Sequence, residues 1–159
     1  MANDPLSRRR LLQKAAVGTT IAWTVPVIAS AATPVAAATG SQCTVSMGGW
    51  NSFSFGPVGS TTTITRTYGS GGGALDVTDA YLTGDQFDVS VAGNLCGQTS
   101  NAPNLGRFVW TNNPNTAYTD ARWSSARVYL GPGTHTISIT VTVSPWGSGG
   151  GFWRDGDCV

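Results

Sequence analysis

The chain has 159 residues, of which 40% are hydrophobic, with nine basic side chains against eight acidic ones and a single histidine. This length predicts one domain, and the absence of glutamate, with only one lysine, speaks against a largely helical protein. Beyond residue 38, five arginines and seven aspartates leave a net charge of −2, which excludes the basic surface that nucleic acids require.

The first 38 residues have the composition of an export signal. Four of the nine basic residues lie between positions 8 and 14, and a weakly apolar run from Ala15 to about Ala32 follows. Gly, Thr and Pro26 interrupt this run, so it does not predict a stable membrane anchor. We predict cleavage after the Ala36-Ala37-Ala38 segment, with 29–31 as the second choice. Residues 39–159 then form a single domain.

The segment SRRRLL resembles the twin-arginine signal, in which Ser or Thr precedes two arginines, any residue and two bulky apolar residues. The matching positions are Ser7, Arg8, Arg9, Leu11 and Leu12. Gln13 departs from the pattern, and an ordinary export signal stays open as an alternative. The resemblance implies an export translocase as a partner and a secreted protein, either extracellular or loosely associated with the cell wall.

The remaining chain reads as short strands separated by turns rich in Gly and Pro. In chain order the predicted strands are 43–47, 60–68, 86–93, 107–110, 126–130, 134–144 and 151–155. Strict alternation predicts that one face of two strands points inward, with Phe87, Val89, Val91, His135, Ile137, Ile139, Val141 and Val143. We therefore predict an all-β fold, an antiparallel β-sandwich or jelly roll of about seven to nine short strands.

Residues 77–154 resemble an uncharacterised family of secreted bacterial and fungal β-sandwich proteins. The matching segments are VTDAYLTGDQFDVSVAGNLCGQTS and DARWSSARVYLGPGTHTISITVTVSPWGSGGGFWR. Their counterparts in the family are T-D-A-F, G-D-x-F-x-V, N-G-x-x-L-G-x-T-S, D-x-R-W/F-S-S-G, G-x-G-x-H-x-I-x-I and S-P-x-G-x-G. Cys96 and Ala126 depart from the pattern, which usually has Leu and Gly there. The resemblance implies a sandwich but no assigned activity.

Three cysteines are an odd number for an oxidising compartment. Cys43 and Cys158 lie near the two ends of the predicted domain, where a disulfide would hold terminal strands together. We predict this pair and a buried thiol at Cys96, although the other two pairings stay open.

The aspartates of the segment LDVTDAYLTGDQFD suggest a weak calcium site. Asp79 and Asp85 flank a turn, and Asp120 is a third candidate ligand from elsewhere in the chain. Because the spacing lacks a recognised calcium motif, the alternative is that Asp85 or Asp120 pairs with Arg122 or Arg154. No other cofactor is predicted.

The segment 109–123, predicted as a long loop, combines aromatic rings with amides. Aromatic rings can stack on sugars, and amides can both donate to and accept from hydroxyl groups. The candidate sugar-binding residues are Trp110, Asn112, Asn113, Asn115, Tyr118 and Trp123. The alternative is that Trp110 and Trp123 belong to the core.

No catalytic motif is recognisable, and we predict no catalytic residues. The leading hypothesis is a secreted, non-enzymatic β-sandwich that takes part in extracellular or cell-surface interaction. A carbohydrate-binding module that contacts polysaccharide or a cell-envelope component is the first alternative, and a hydrolase that uses His135 is the second.

Overall fold

The computed structural model describes residues 44–159. The predicted export signal, both cleavage sites and Cys43 lie outside the described residues and stay predictions. In chain order the elements are β1 (Val45–Met47), β2 (Asn51–Phe55), β3 (Thr61–Tyr68), β4 (Gly73–Leu82), β5 (Gln86–Val91), β6 (Asn94–Gln98), β7 (Trp110–Thr111), α1 (Pro114–Thr119), β8 (Ser125–Leu130), β9 (Gly133–Val143) and β10 (Gly149–Cys158).

Two antiparallel sheets form the architecture. In the six-stranded sheet, β10 and β4 are central neighbours. The other edge of β10 pairs with β1 and β2, and the other edge of β4 pairs with β7 and β8. The four-stranded sheet has the order β3-β9-β5-β6. The predicted all-β antiparallel sandwich is therefore confirmed, with ten strands among the described residues rather than seven to nine.

The core lies between the inner faces of the two sheets. Phe87 is fully buried, and its ring meets Phe53 and Phe55 of the opposite sheet in edge-to-face contacts at 5.5 and 5.1 Å. The alternation predicted for β5 and β9 is confirmed by burial of Phe87, Val89, Val91, Ile137, Ile139 and Val141. Val143 differs, because at the end of β9 it extends past the core and is 39% exposed.

The central strand β4 was not among the predicted strands. Its first eight residues are all buried, including Asp76, Thr78 and Asp79, so it shows no alternation of apolar and polar positions. Two other predictions of local structure were also wrong. Residues 107–110 contribute only Trp110 to a strand, and the predicted loop after it contains helix α1.

The cysteine predictions have separate outcomes. Cys96 is a free, half-buried thiol packed against the core, as predicted apart from its partial exposure. Pairing of β1 with β10 places Val45 opposite Cys158, but the predicted disulfide stays a prediction because Cys43 is outside the described residues. No helix among residues 44–159 has the length and apolar character needed to cross a lipid bilayer.

Candidate functional site

Helix α1 covers part of the outer face of the six-stranded sheet. The Asn113 side chain starts the helix by accepting hydrogen bonds from the backbone amides of Asn115 and Thr116, at 3.0 and 3.3 Å. Pro114 suits the first turn because its nitrogen has no proton to leave unbonded. Ala117 is fully buried and allows the short helix to contact β4 and β8 closely.

A fully buried carboxylate, Asp76, lies beneath this helix. Strand register places it opposite both Arg127 and Arg154, whose Nε atoms donate to it at 2.7 and 3.0 Å. The Tyr118 hydroxyl of α1 donates to it as well, at 2.9 Å. Burial alone would raise the pKa of Asp76, but these hydrogen bonds outweigh burial and lower it. This network ties helix to sheet and is structural.

Beyond the helix, three aromatic side chains lie next to one another in space. We call these residues, Trp110, Tyr81 and Phe152, the aromatic row. The Trp110 and Tyr81 ring centres are 6.1 Å apart with planes tilted by 53°, and those of Tyr81 and Phe152 are 6.2 Å apart with stacked planes 26° from parallel. Trp110 is 55% exposed and Tyr81 37% exposed. The row therefore offers an open, largely apolar surface to a ligand.

Tyr81 holds its place in the row through an unusual backbone conformation. Its φ of 64° lies in the left-handed region, where aromatic residues are rare and strain costs about 1–3 kcal/mol. The Tyr81 ring lies over Gly150, where a β-carbon would be 2.7 Å from a ring atom. A glycine at 150 is therefore needed for the ring to lie flat on the sheet.

A cavity of about 290 Å³ opens beside the Tyr81 ring, where β4 ends and β10 begins. Its polar lining comes from Ser54, Ser148 and Asp85, and its apolar lining includes Tyr81 and Leu82. The aromatic row and the cavity share Tyr81, so a single ligand can contact both.

Two buried aspartates, Asp79 and Asp85, lie at the inner side of this cavity, and of the two only Asp85 lines it. Asp79 accepts hydrogen bonds from the backbone amides of Ala80, at 2.7 Å, and Asp85, at 3.3 Å. Burial, together with the neighbouring charge of Asp85, nevertheless raises the pKa of Asp79 to about 9. At neutral pH Asp79 is therefore a neutral acid.

The structure separates the aromatic residues that were predicted to bind sugar. Trp110 is on the open surface, whereas Trp123 is only 2% exposed and its indole donates to the Tyr81 carbonyl at 3.3 Å. Tyr118 is half-buried against Asp76 and the Trp50 ring, 5.5 Å away. The core alternative thus holds for Trp123 but not for Trp110.

The predicted asparagines have different surroundings as well. Asn113 caps α1, and Asn115 accepts a hydrogen bond from the Trp50 indole at 2.9 Å. Asn112 is exposed. The six predicted residues therefore do not line one groove.

The candidate calcium ligands do not come together as a set. Asp79 and Asp85 are neighbours, but Asp120 forms an exposed ion pair with Arg122, as the alternative predicted. Arg154 pairs with Asp76, which was not predicted. Within residues 44–159 no group of three or more His, Cys, Asp or Glu side chains has a metal-binding arrangement.

His135 lies on β9 of the four-stranded sheet, and its ring contact is with Tyr68 rather than with the aromatic row. It is half-buried on β9, and its Nε2 is 2.8 Å from the Gly131 carbonyl. In the described part of the chain no Ser, Cys or Asp side chain forms a hydrogen bond with this imidazole. The hydrolase alternative therefore gains no support from the geometry.

Sequence reasoning missed Tyr81 and Phe152. One signal for Tyr81 was present, because it occupies the aromatic position of the T-D-A-F segment in the family resemblance. Phe152 lies in a segment predicted as a strand, but its outward direction depends on pairing with β4.

No family model and no curated protein matches this chain. Among solved structures, it is similar to a β-1,3-glucan binding CBM6 from Bacillus halodurans, with 16% identity, 69% of this chain and 86% of that chain covered, and a TM-score of 0.41. A C-terminal CBM6 of a marine laminarinase from Zobellia galactanivorans has 13% identity, coverage of 67% and 99%, and a TM-score of 0.39.

A glycoside hydrolase family 43 arabinoxylan arabinofuranohydrolase from Bacillus subtilis has 16% identity and a TM-score of 0.41. The match covers 65% of this chain but spans only 20% of that chain's length. At such identities the likeness concerns the fold, and the function proposed below depends on this chain's own geometry.

Proposed function

We propose that this protein is a secreted carbohydrate-binding protein whose aromatic row stacks on a glycan chain. The observation that supports the proposal is the aromatic row, in which Trp110 and Tyr81 are exposed and Phe152 is half-buried, beside a cavity with polar groups. Sugar rings present apolar C–H faces and polar hydroxyl edges. An aromatic surface next to hydroxyl and carboxylate oxygens matches both.

The backbone strain at Tyr81 supports the same assignment. Strained conformations of non-glycine residues cluster at binding and catalytic sites, where the surrounding structure holds them. Here the strain turns an aromatic ring toward solvent, where it gains no burial in the core. A ligand that stacks on the ring explains why this arrangement is useful.

The proposed role is binding rather than catalysis. The cavity is lined by one carboxylate, Asp85, whereas Asp79 lies behind it with no exposed surface. General acid–base hydrolysis of a glycosidic bond commonly uses two carboxyl groups that both reach the substrate.

Replacing Trp110 with alanine is expected to weaken glycan binding about tenfold, because a stacked ring contributes roughly 1–2 kcal/mol. We would titrate the purified protein with soluble β-glucan, xylan and hydroxyethylcellulose and follow tryptophan fluorescence and heat. Phe108→Ala is the matched control, since Phe108 is fully exposed but does not belong to the aromatic row.

Unchanged affinity of Trp110→Ala, or equal losses in both variants, would remove the aromatic row from the binding site. If none of the polysaccharides binds to the unmodified protein, the carbohydrate proposal fails and the hypothesis of a protein or envelope partner takes its place.

A further inference from the structure

The side chain of Asp85 has an unusual combination of burial and missing partners. The residue is only 2% exposed, yet its Oδ1 has no hydrogen-bond partner within the described residues. A buried oxygen that lacks a partner costs roughly 1–3 kcal/mol, and more when it is charged. Asp85 also lines the cavity, and its other oxygen, Oδ2, is the one that faces Gly149, so a ligand in the cavity can donate to Oδ2.

Glycines keep the path from the cavity to this carboxylate open. A β-carbon at Gly149 would lie 3.2 Å from Asp85 Oδ2 and 2.6 Å from the Phe55 ring. A side chain at position 149 would therefore fill the space in front of Asp85.

The negative charge of Asp85 has no cation beside it. Among the described residues the arginines are engaged elsewhere: Arg66 with Asp155, Arg122 with Asp120, Arg127 and Arg154 with Asp76, and Arg107 over the Trp146 ring. There is no lysine in this part of the chain. A cationic ligand in the cavity can therefore supply the charge partner that the described residues do not.

The immediate surroundings of Asp85 are polar but uncharged. Burial raises the pKa of Asp85, while the nearby Ser144 hydroxyl lowers it. Ser144 Oγ, however, does not reach hydrogen-bond geometry with any described group. The neighbouring Asp79 is neutral at physiological pH, so the site has at most one negative charge.

Given the proposed function, we infer that the cavity binds a sugar residue with a free, protonated amino group, and that Asp85 accepts its hydrogen bond. An ammonium group has three donors, which match the Asp85 carboxylate and the Ser54 and Ser148 hydroxyls that line the cavity. A hydroxyl or an N-acetyl group brings no charge to Asp85.

The test compares three oligosaccharides of equal length by calorimetry, namely the hexamers of glucosamine, N-acetylglucosamine and glucose, at a pH where the amine is protonated. The unmodified protein is expected to bind the glucosamine hexamer about tenfold more tightly than the other two, since hydrogen bonds to charged groups are the stronger ones. Asp85→Asn is expected to abolish this preference, so that its affinity for the glucosamine hexamer falls to that for the glucose hexamer. Asp88→Asn, which removes a charge from β5 on the other sheet, is the control for net charge and should keep the preference.

Each outcome separates this inference from the proposed function. Equal binding of glucose and glucosamine hexamers overturns the inference but leaves carbohydrate binding intact. If none of the three hexamers binds, both the inference and the proposed function are overturned. A preference that persists in Asp85→Asn also overturns the assignment of Asp85. If Asp85→Asn fails to fold, Ser148→Leu provides the second variant. Ser148 is exposed at the cavity, and its replacement should selectively weaken glucosamine-hexamer binding by narrowing the cavity.

Discussion

Replacing Asp76 with asparagine is expected to lower the free energy of unfolding by about 3 kcal/mol, because it leaves two arginines without their buried partner. Arg127 and Arg154 converge on this one carboxylate, and their side chains are 35% and 22% exposed. This partial exposure places the expected loss at the lower end of what breaking a buried ion pair costs. Tyr118 also loses its acceptor, so α1 is held less firmly against β4.

Urea unfolding followed by tryptophan fluorescence measures this loss. Asp120→Asn is the matched control, because it breaks the exposed pair with Arg122 and should leave the urea midpoint unchanged. Equal effects of the two substitutions would show that burial adds nothing to the Asp76 network.

The pH dependence of the same network follows from the lowered pKa of Asp76. The folded state binds a proton here less readily than the unfolded chain, so the contribution is complete above the unfolded pKa of about 4. It is lost as pH falls through the lower pKa of the folded state. Acid unfolding of the protein should therefore shift to higher pH in Asp76→Asn.

Stability of the unmodified protein is expected to decline as pH rises between about 4 and about 9, because of Asp79. In the unfolded chain this carboxyl loses its proton near pH 4, whereas in the folded state it keeps the proton until about pH 9. Across that range the unfolded state binds fewer protons, so each pH unit costs the folded state up to about 1.4 kcal/mol.

Asp79→Asn removes this titration and should flatten the decline by more than about 1 kcal/mol between about pH 5 and about pH 8. The variant is expected to be less stable than the unmodified protein at the acid end, because the amide repels the Asp85 backbone N–H, and more stable at the alkaline end. Urea unfolding at both pH values measures the difference. The loss of stability with rising pH that remains in the variant is due to Asp85, because burial also raises the pKa of that residue.

Two results would contradict this account of Asp79. One is an unchanged pH profile in Asp79→Asn. The other is a rise in the melting temperature on adding calcium that the variant does not show, since ligation of calcium requires an ionised carboxylate. That second result would instead favour the calcium hypothesis for Asp79 and Asp85.

The candidate site was only partly predictable from the sequence. Trp110 and Trp123 were both candidates for sugar binding from one predicted loop, but Trp110 is on the surface and Trp123, thirteen residues later, is buried. The difference arises because Trp110 pairs with Leu82 at the sheet edge, whereas Trp123 packs beneath Tyr81. Both contacts join segments distant in sequence, which no local pattern can report.

What the sequence determined by itself was the all-β class and the inward faces of β5 and β9. Each of these strands has one buried and one solvated face, and that difference appears directly as alternation along the chain. The tertiary structure decided the central strand β4, whose two faces are both covered, so that no alternation marks it. It also decided the aromatic row, because strand pairing brings Trp110, Tyr81 and Phe152 together from three segments, and the cavity, where Ser148 and Gly149 meet Tyr81 and Asp85.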